Sequence, residues 1–256
     1  LTFFYKNISD FNDVKSTIEY FSDCELNFDE QHINNDKSLL NTYTLDYKNN
    51  EFILDAINFK SSLSDIEKYY NKSTFKNINS LHTKINNSQK GIHILYGETG
   101  TGKTSTINFL ASNIDKNFIY LPLNSIDYTI NNPDFNNALK SLNGSVLIID
   151  NFEVINEISS QNFIINNLLE IVDGYMSDDF NINILIILNE IDVNLLNNKI
   201  LDSPNLLNIV KFEPLTAKEA NNLSQFLSNK KLYSKETRLI DVLKISKKIP
   251  NKKIGF

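Results

Sequence analysis

The sequence predicts an α/β fold: a five-stranded parallel sheet covered by helices on both faces, followed by a small helical lid. Two observations carry this. Five apolar runs of strand length, Ile92–Tyr96, Phe118–Pro122, Val146–Asp150, Ile182–Leu188 and Ile209–Phe212, alternate with helix-patterned segments. Strands buried on both faces read as unbroken apolar runs, as a sheet covered on both sides demands. After Pro214 no further strand pattern occurs, and Thr216–Ser228 and Thr237–Lys248 read as two helices. Parallel neighbours joined by right-handed crossovers then give a doubly wound domain.

The elements follow in order. Residues 1–70 hold short mixed runs, Leu1–Tyr5, Thr42–Tyr47 and Glu51–Phe59, around the Asn/Asp-rich stretch Asn27–Lys37. They read as a small accessory α+β region. Helices are expected around Leu63–Tyr70 and Phe75–Asn86, then over Lys103–Ile114, Gln161–Tyr175 and Val193–Leu201. The stretch between Pro122 and Phe135, which holds Tyr128, reads as a loop. The expected division is therefore an accessory region at 1–70, a core at 71–213 and a helical lid at 214–256.

Composition narrows the function classes. With 256 residues and 41% hydrophobic content the chain can bury a sizeable core. No apolar stretch approaches the ~20 residues of a membrane-spanning helix, so none is expected. A lone Cys24 cannot form an internal disulfide, and His32, His82 and His93 are scattered without zinc spacing. No charged-then-apolar leader opens the chain, so a cytoplasmic, reducing compartment is expected; a viral particle would look the same. The first residue is Leu1, which fits a trimmed or partial chain. The 40 asparagines, with abundant Ile and Lys, suggest an A/T-rich genome, and Arg238 is the only arginine.

Charge is segregated. Residues 229–256 carry nine basic and two acidic side chains, which leaves residues 1–228 at net −13. An acidic body argues against a broad nucleic-acid-binding face. The basic tail suits nucleic acid, a membrane surface or an acidic partner, and equally a lid docked on an acidic body.

The chemistry lies in one loop. Gly97-Glu98-Thr99-Gly100-Thr101-Gly102-Lys103-Thr104, with Ser105 after it, fits G-x-x-x-x-G-K-[ST] and uses three of the chain's seven glycines. Glycines let such a P-loop wrap with its N–H groups facing phosphate oxygens. Lys103 is expected to reach the β/γ-phosphates and the Thr104 hydroxyl to ligate Mg²⁺. The helix that begins here aims its positive end at the same phosphates. The loop sits between a strand and a helix, so a nucleoside triphosphate is the expected ligand. No guanine-reading motif occurs, which makes ATP the default.

With the loop placed, residues 69–256 resemble an AAA+ ATPase, in particular bacterial relatives of the mitochondrial translocase of the Rieske protein. The stretches that carry this are Tyr69–Asn71, Gly91–Gly97, Asn167–Gly174, Phe212–Thr216 and the terminal Ile254-Gly255-Phe256. The resemblance implies that Asp150 organises Mg²⁺ with Thr104 and that Asn189 is the sensor holding the attacking water or γ-phosphate. A ring of such subunits would present an aromatic to its pore near Tyr128; Tyr128 as ordinary packing is the plainer reading.

Three departures count against hydrolysis. Asn151 follows Asp150 where an active relative carries a second acid, and a neutral amide orients water but cannot accept its proton. Glu153 is the nearby stand-in, or else the start of the next helix. Asn197 and Ile200 occupy the two arginine positions that act on a neighbour's nucleotide. An arginine finger contributes roughly 10³–10⁵ in rate in related enzymes, and Lys199 lacks its forked geometry. Arg238 falls where some relatives place a second sensor, or else on a solvated helix face. The expected function is thus an ATP-binding, hydrolysis-impaired subunit that uses Mg·ATP to stabilise or regulate an assembly with identical copies or other AAA+ subunits. An active protein-remodelling ATPase and a loader-type ATPase on nucleic acid are the alternatives.

Overall fold

The computed structural model describes residues 42–48, 51–56, 66–87, 90–152, 158–189, 198–229 and 231–246. Leu1–Tyr5, Cys24, Asn27–Lys37, Glu153, Val193–Asn197 and the terminal Ile-Gly-Phe lie outside them.

The five expected strands are present: β3 (Gly91–Gly97), β4 (Phe118–Tyr120), β5 (Val146–Ile149), β6 (Asn183–Asn189) and β7 (Leu206–Phe212). Two more, β1 (Thr42–Lys48) and β2 (Glu51–Ala56), raise the sheet to seven in the order β2-β1-β4-β5-β6-β3-β7. β1 runs parallel to β4, with Thr42–Thr44 beside Phe118–Tyr120, and only the edge strand β2 is antiparallel. Residues read as part of an accessory region therefore extend the main sheet. Their inward side chains Leu45, Phe52 and Leu54 are buried in its core, and Phe52 leans on Phe135 with ring centroids 5.8 Å apart.

Alternate residues of each strand feed two cores. Leu147 and Ile149 of β5, Ile92 and Ile94 of β3, and Ile184 and Ile186 of β6 face one side. Val146, Ile148, Leu95, Leu185 and Ile187 face the other. Both faces are covered, which is why these strands show no polar alternation.

Helices α1 (Lys72–Asn87) and α2 (Lys103–Asn113) cover the second face. Thr74, Ile78, Leu81 and Ile85 form the buried stripe of α1, and the Asn71 side chain caps it by accepting from Thr74 N at 2.7 Å. Between the strands lie α3 (Leu123–Asn131), α4 (Phe135–Ser141), α5 (Ile158–Asp173), α6 (Ser177–Phe180) and α7 (Asn198–Leu201). The loop expected between Pro122 and Phe135 is mostly helix: Ile126, Thr129 and Ile130 are buried at helical spacing in α3. Asn-rich polar positions masked that pattern. Tyr128 is 60% exposed on α3 and leans on Tyr47 of β1 at 5.4 Å. The helix expected at Leu63–Tyr70 is, among the described residues, a single 3₁₀ turn over Ile66–Lys68.

The lid holds α8 (Ala217–Phe226) and α9 (Leu239–Ser246). Leu215, Ala220, Leu223, Tyr233, Leu239 and Val242 continue the second core, and Leu215 and Thr237 exchange backbone hydrogen bonds of 2.9 Å. A capping box opens α8, in which Glu219 N donates to Thr216 Oγ1 at 3.3 Å and Thr216 N to Glu219 Oε2 at 2.9 Å. Thr216→Ala is therefore expected to lower stability by about 1 kcal/mol in urea unfolding.

A polar ladder crosses the far end of the sheet. His93 of β3 is fully buried. Its Nδ1 accepts from Asn208 Nδ2 of β7 at 3.3 Å, and its Nε2 donates to Asn183 Oδ1 of β6 at 3.2 Å. Burial pushes its pKa down to about 4, so the ring is neutral.

Candidate functional site

Neighbouring parallel strands end side by side at one edge of the sheet. Gly97 closes β3 in register with Asn189 at the end of β6 and Phe212 at the end of β7. Asp150 and Asn151 follow β5, which pairs with β6. The carboxyl ends of such strands are where open α/β sheets take ligands.

The loop from Gly97 to Gly102 leaves β3 and enters α2. Gly97 (φ 143°) and Gly102 (φ 109°) lie in a region that L side chains rarely adopt. Each is also pressed from outside: a Cβ on Gly97 would lie 2.2 Å from Phe212 O, and one on Gly102 2.5 Å from the Tyr70 hydroxyl oxygen. Two of the loop's carbonyls accept from residues outside the loop. Tyr70 Oη donates to Gly102 O at 2.7 Å, and the backbone N of Ile240 in α9 donates to Gly100 O at 2.9 Å. Inside the loop, Thr101 Oγ1 donates to Glu98 O at 2.7 Å. Lys103 is only 5% exposed, and its ammonium donates to Gly97 O at 2.5 Å and Glu98 O at 3.0 Å.

No side chain caps α2 at Gly102. A helix start leaves its first N–H groups without intrahelical partners and so favours an anion. Thr104 is exposed in this first turn and Ser105 half-buried. Glycines that admit no Cβ, a buried ammonium and a helix start are a donor set suited to phosphate oxygens. A cleft of about 1230 Å³ adjoins the loop, bordered by Tyr70, Gly97, Glu98, Pro214, Leu215 and α8.

Beyond the loop, Asp150 is half-buried and accepts from Asn151 N at 2.8 Å. Burial, and then the negative charge of Asp150, push the Tyr120 phenol up. Asn151 adopts φ 57°, the left-handed region that asparagine tolerates best after glycine. Its Oδ1 accepts from Asn189 Nδ2. Two neutral amides thus face each other beside Asp150, and neither can take a proton from water. Among the described residues no group of three or more His, Cys, Asp or Glu could hold a metal ion.

The remaining positions fall elsewhere. Ile200 of α7 is buried in the first core, so that place carries packing and no arm toward a neighbour. Lys199 Nζ donates to Asn166 Oδ1 of its own chain at 3.0 Å. Arg238 forms a two-pronged pair with Asp241, Nε to Oδ2 at 2.9 Å and Nη2 to Oδ1 at 3.3 Å, on the exposed start of α9. Glu153 and Asn197 lie outside the described residues. Tyr70 and Phe212 lie in stretches that carry the resemblance, but nothing in the sequence ties them or Ile240 to the loop.

Residues 93–210 match the family model described as AAA, ATPase family associated with various cellular activities. This segment is similar to an AAA-type P-loop NTPase domain. The match runs from β3 into β7 and takes in the loop, Asp150 and Asn189. Nucleotide binding, typically of ATP with Mg²⁺, is the property such a domain carries. No curated protein matches the chain. Among the described residues no helix is long and apolar enough to cross a membrane.

Proposed function

We propose that the chain binds Mg·ATP through Gly97, Glu98, Thr99, Gly100, Thr101, Gly102, Lys103, Thr104 and Ser105, and that it turns ATP over slowly or not at all. Thr104 and Asp150 hold the metal, and Asn189 is the sensor that holds the attacking water or the γ-phosphate. The observation that carries the reading is the Asn189–Asn151 amide pair beside Asp150. It supports the reading because Asn151 stands where an active relative carries the acid that accepts the water's proton. The buried Ile200 supports it too, because no arginine is available from that place in a second copy.

A nucleotide that stays bound acts as a structural ligand. The lid touches the loop through Ile240 and Gly100, so occupancy stabilises the lid against the core. At a hundred times the dissociation constant, bound nucleotide adds about 2.7 kcal/mol to the folded state. The role that follows is to stabilise or regulate an assembly of identical copies or of other AAA+ subunits.

The test pairs equilibrium binding of Mg·ATP with steady-state phosphate release on one sample, with Lys103→Ala as control. Tight binding in the wild type, binding weakened about a hundredfold in Lys103→Ala, and release at the control level are expected. Release well above the control would overturn the slow-turnover reading, and absent binding would overturn the site.

A further inference from the structure

We propose that Tyr70 is a positioning residue of the phosphate loop, setting its shape by holding the Gly102 carbonyl away from the ligand. The inference rests on the nucleotide-binding reading above and adds a residue outside the loop motif and outside the matched segment 93–210.

A loop that cradles phosphate must turn its N–H groups inward, and each carbonyl turned outward then needs a donor. Gly102 is the last residue before α2, so its peptide plane fixes the direction in which the helix start points. Its carbonyl accepts the first bond of α2 from Thr106 N at 3.0 Å and a second bond from the Tyr70 hydroxyl at 2.7 Å, and that hydroxyl oxygen accepts from Thr106 Oγ1 at 3.1 Å. Tyr70 is 8% exposed and Thr106 is fully buried. The phenol is therefore held at both of its hydrogen-bonding positions, and burial keeps it protonated as a donor. Its ring stands edge-on to Phe212, with centroids 5.9 Å apart and planes at 77°. The carbonyl oxygen of that same Phe212 stands 2.2 Å from where a Cβ on Gly97 would lie, at the loop's other end. One aromatic pair thus stands beside both ends of the loop. Tyr70 lies just ahead of α1, and Leu239 Cδ2 of the lid stands 2.9 Å from where a Cβ on Gly102 would lie, so the linker before the core and the lid after it converge on one glycine.

The test measures dissociation constants for Mg·ATP and for tripolyphosphate, which has no base or sugar, in the wild type, Tyr70→Phe, Thr106→Val and Thr106→Ser. Removing the hydroxyl while keeping the ring is expected to weaken both ligands about tenfold and by the same factor. Thr106→Val weakens both by a smaller factor, and Thr106→Ser, which keeps the hydroxyl, restores wild-type affinity. A role confined to general stability would lower the melting temperature of Thr106→Ser and Thr106→Val alike and leave both constants unchanged. Unchanged constants in Tyr70→Phe, or a loss for ATP without one for tripolyphosphate, would overturn the proposal. Failure of the wild type to bind either ligand would instead remove the nucleotide reading, and this inference with it.

Discussion

Gly97→Ala is expected to abolish Mg·ATP binding and to destabilise the fold by at least about 3 kcal/mol, whereas Gly144→Ala costs about 1 kcal/mol and leaves binding intact. Both glycines have positive φ, 143° and 79°, so both substitutions strain the backbone. They differ in what the new methyl meets. At Gly144 nothing lies within 4 Å, while at Gly97 the Cβ lands 2.2 Å from Phe212 O and 3.0 Å from Phe212 C. Those are backbone atoms of the neighbouring strand, paired with Gly97 in register, and no rotamer change relieves the contact. β3 and β7 must part where the loop begins, which also releases the carbonyl that Lys103 holds. Urea unfolding and Mg·ATP titration of the two variants check this. Equal losses of stability would mean that strain alone matters and that β7 does not grip the loop.

The sequence shows some of this architecture and hides the rest for identifiable reasons. The strands of the central sheet were legible because both of their faces are buried, so Val146–Ile149 and Ile182–Leu188 read as unbroken apolar runs. β1 and β2 were seen as strands but not as part of the sheet. Nothing local tells a hairpin of mixed polarity whether its partner lies next door or, as with Phe118–Tyr120, some seventy residues on. α3 escaped notice because Asn124, Asn131 and Asp127 dilute a stripe of only three buried positions.

The loop was legible in full, since its residues are contiguous and each has its own chemical reason. The grip on the loop was not. Tyr70, Phe212 and Ile240 come from three separate segments, and only tertiary structure brings them to Gly102, Gly97 and Gly100. Asn151 was legible as a missing acid, but its bond to Asn189 is a cross-strand contact that asparagine abundance concealed.

Acid is expected to expose a further weakness, in the polar ladder at the sheet's far end. His93 titrates near 6.5 when unfolded but is pushed down to about 4 when folded, first by burial and further by the charges of Lys84 and Lys116. Asn183 works against this shift by bonding to the ring. Because the unfolded chain takes up the proton more readily, the neutral ring stabilises the fold fully above pH 6.5. That contribution drains away as pH falls toward 4. The loss amounts to about 3 kcal/mol over that window, a large share of a marginal stability. Carboxylates titrate near the lower end of the same range, so the comparison must isolate the histidine. His93→Gln keeps a donor and an acceptor between Asn183 and Asn208 but cannot charge. Unfolding free energies of wild type and variant from urea titrations, measured from pH 7.5 to 4, are expected to shift relative to one another by about 3 kcal/mol as pH falls, with the wild type losing the more. Parallel curves would show that the ring is protonated inside the fold at ordinary cost, and that water or a rearranged Asn208 reaches it.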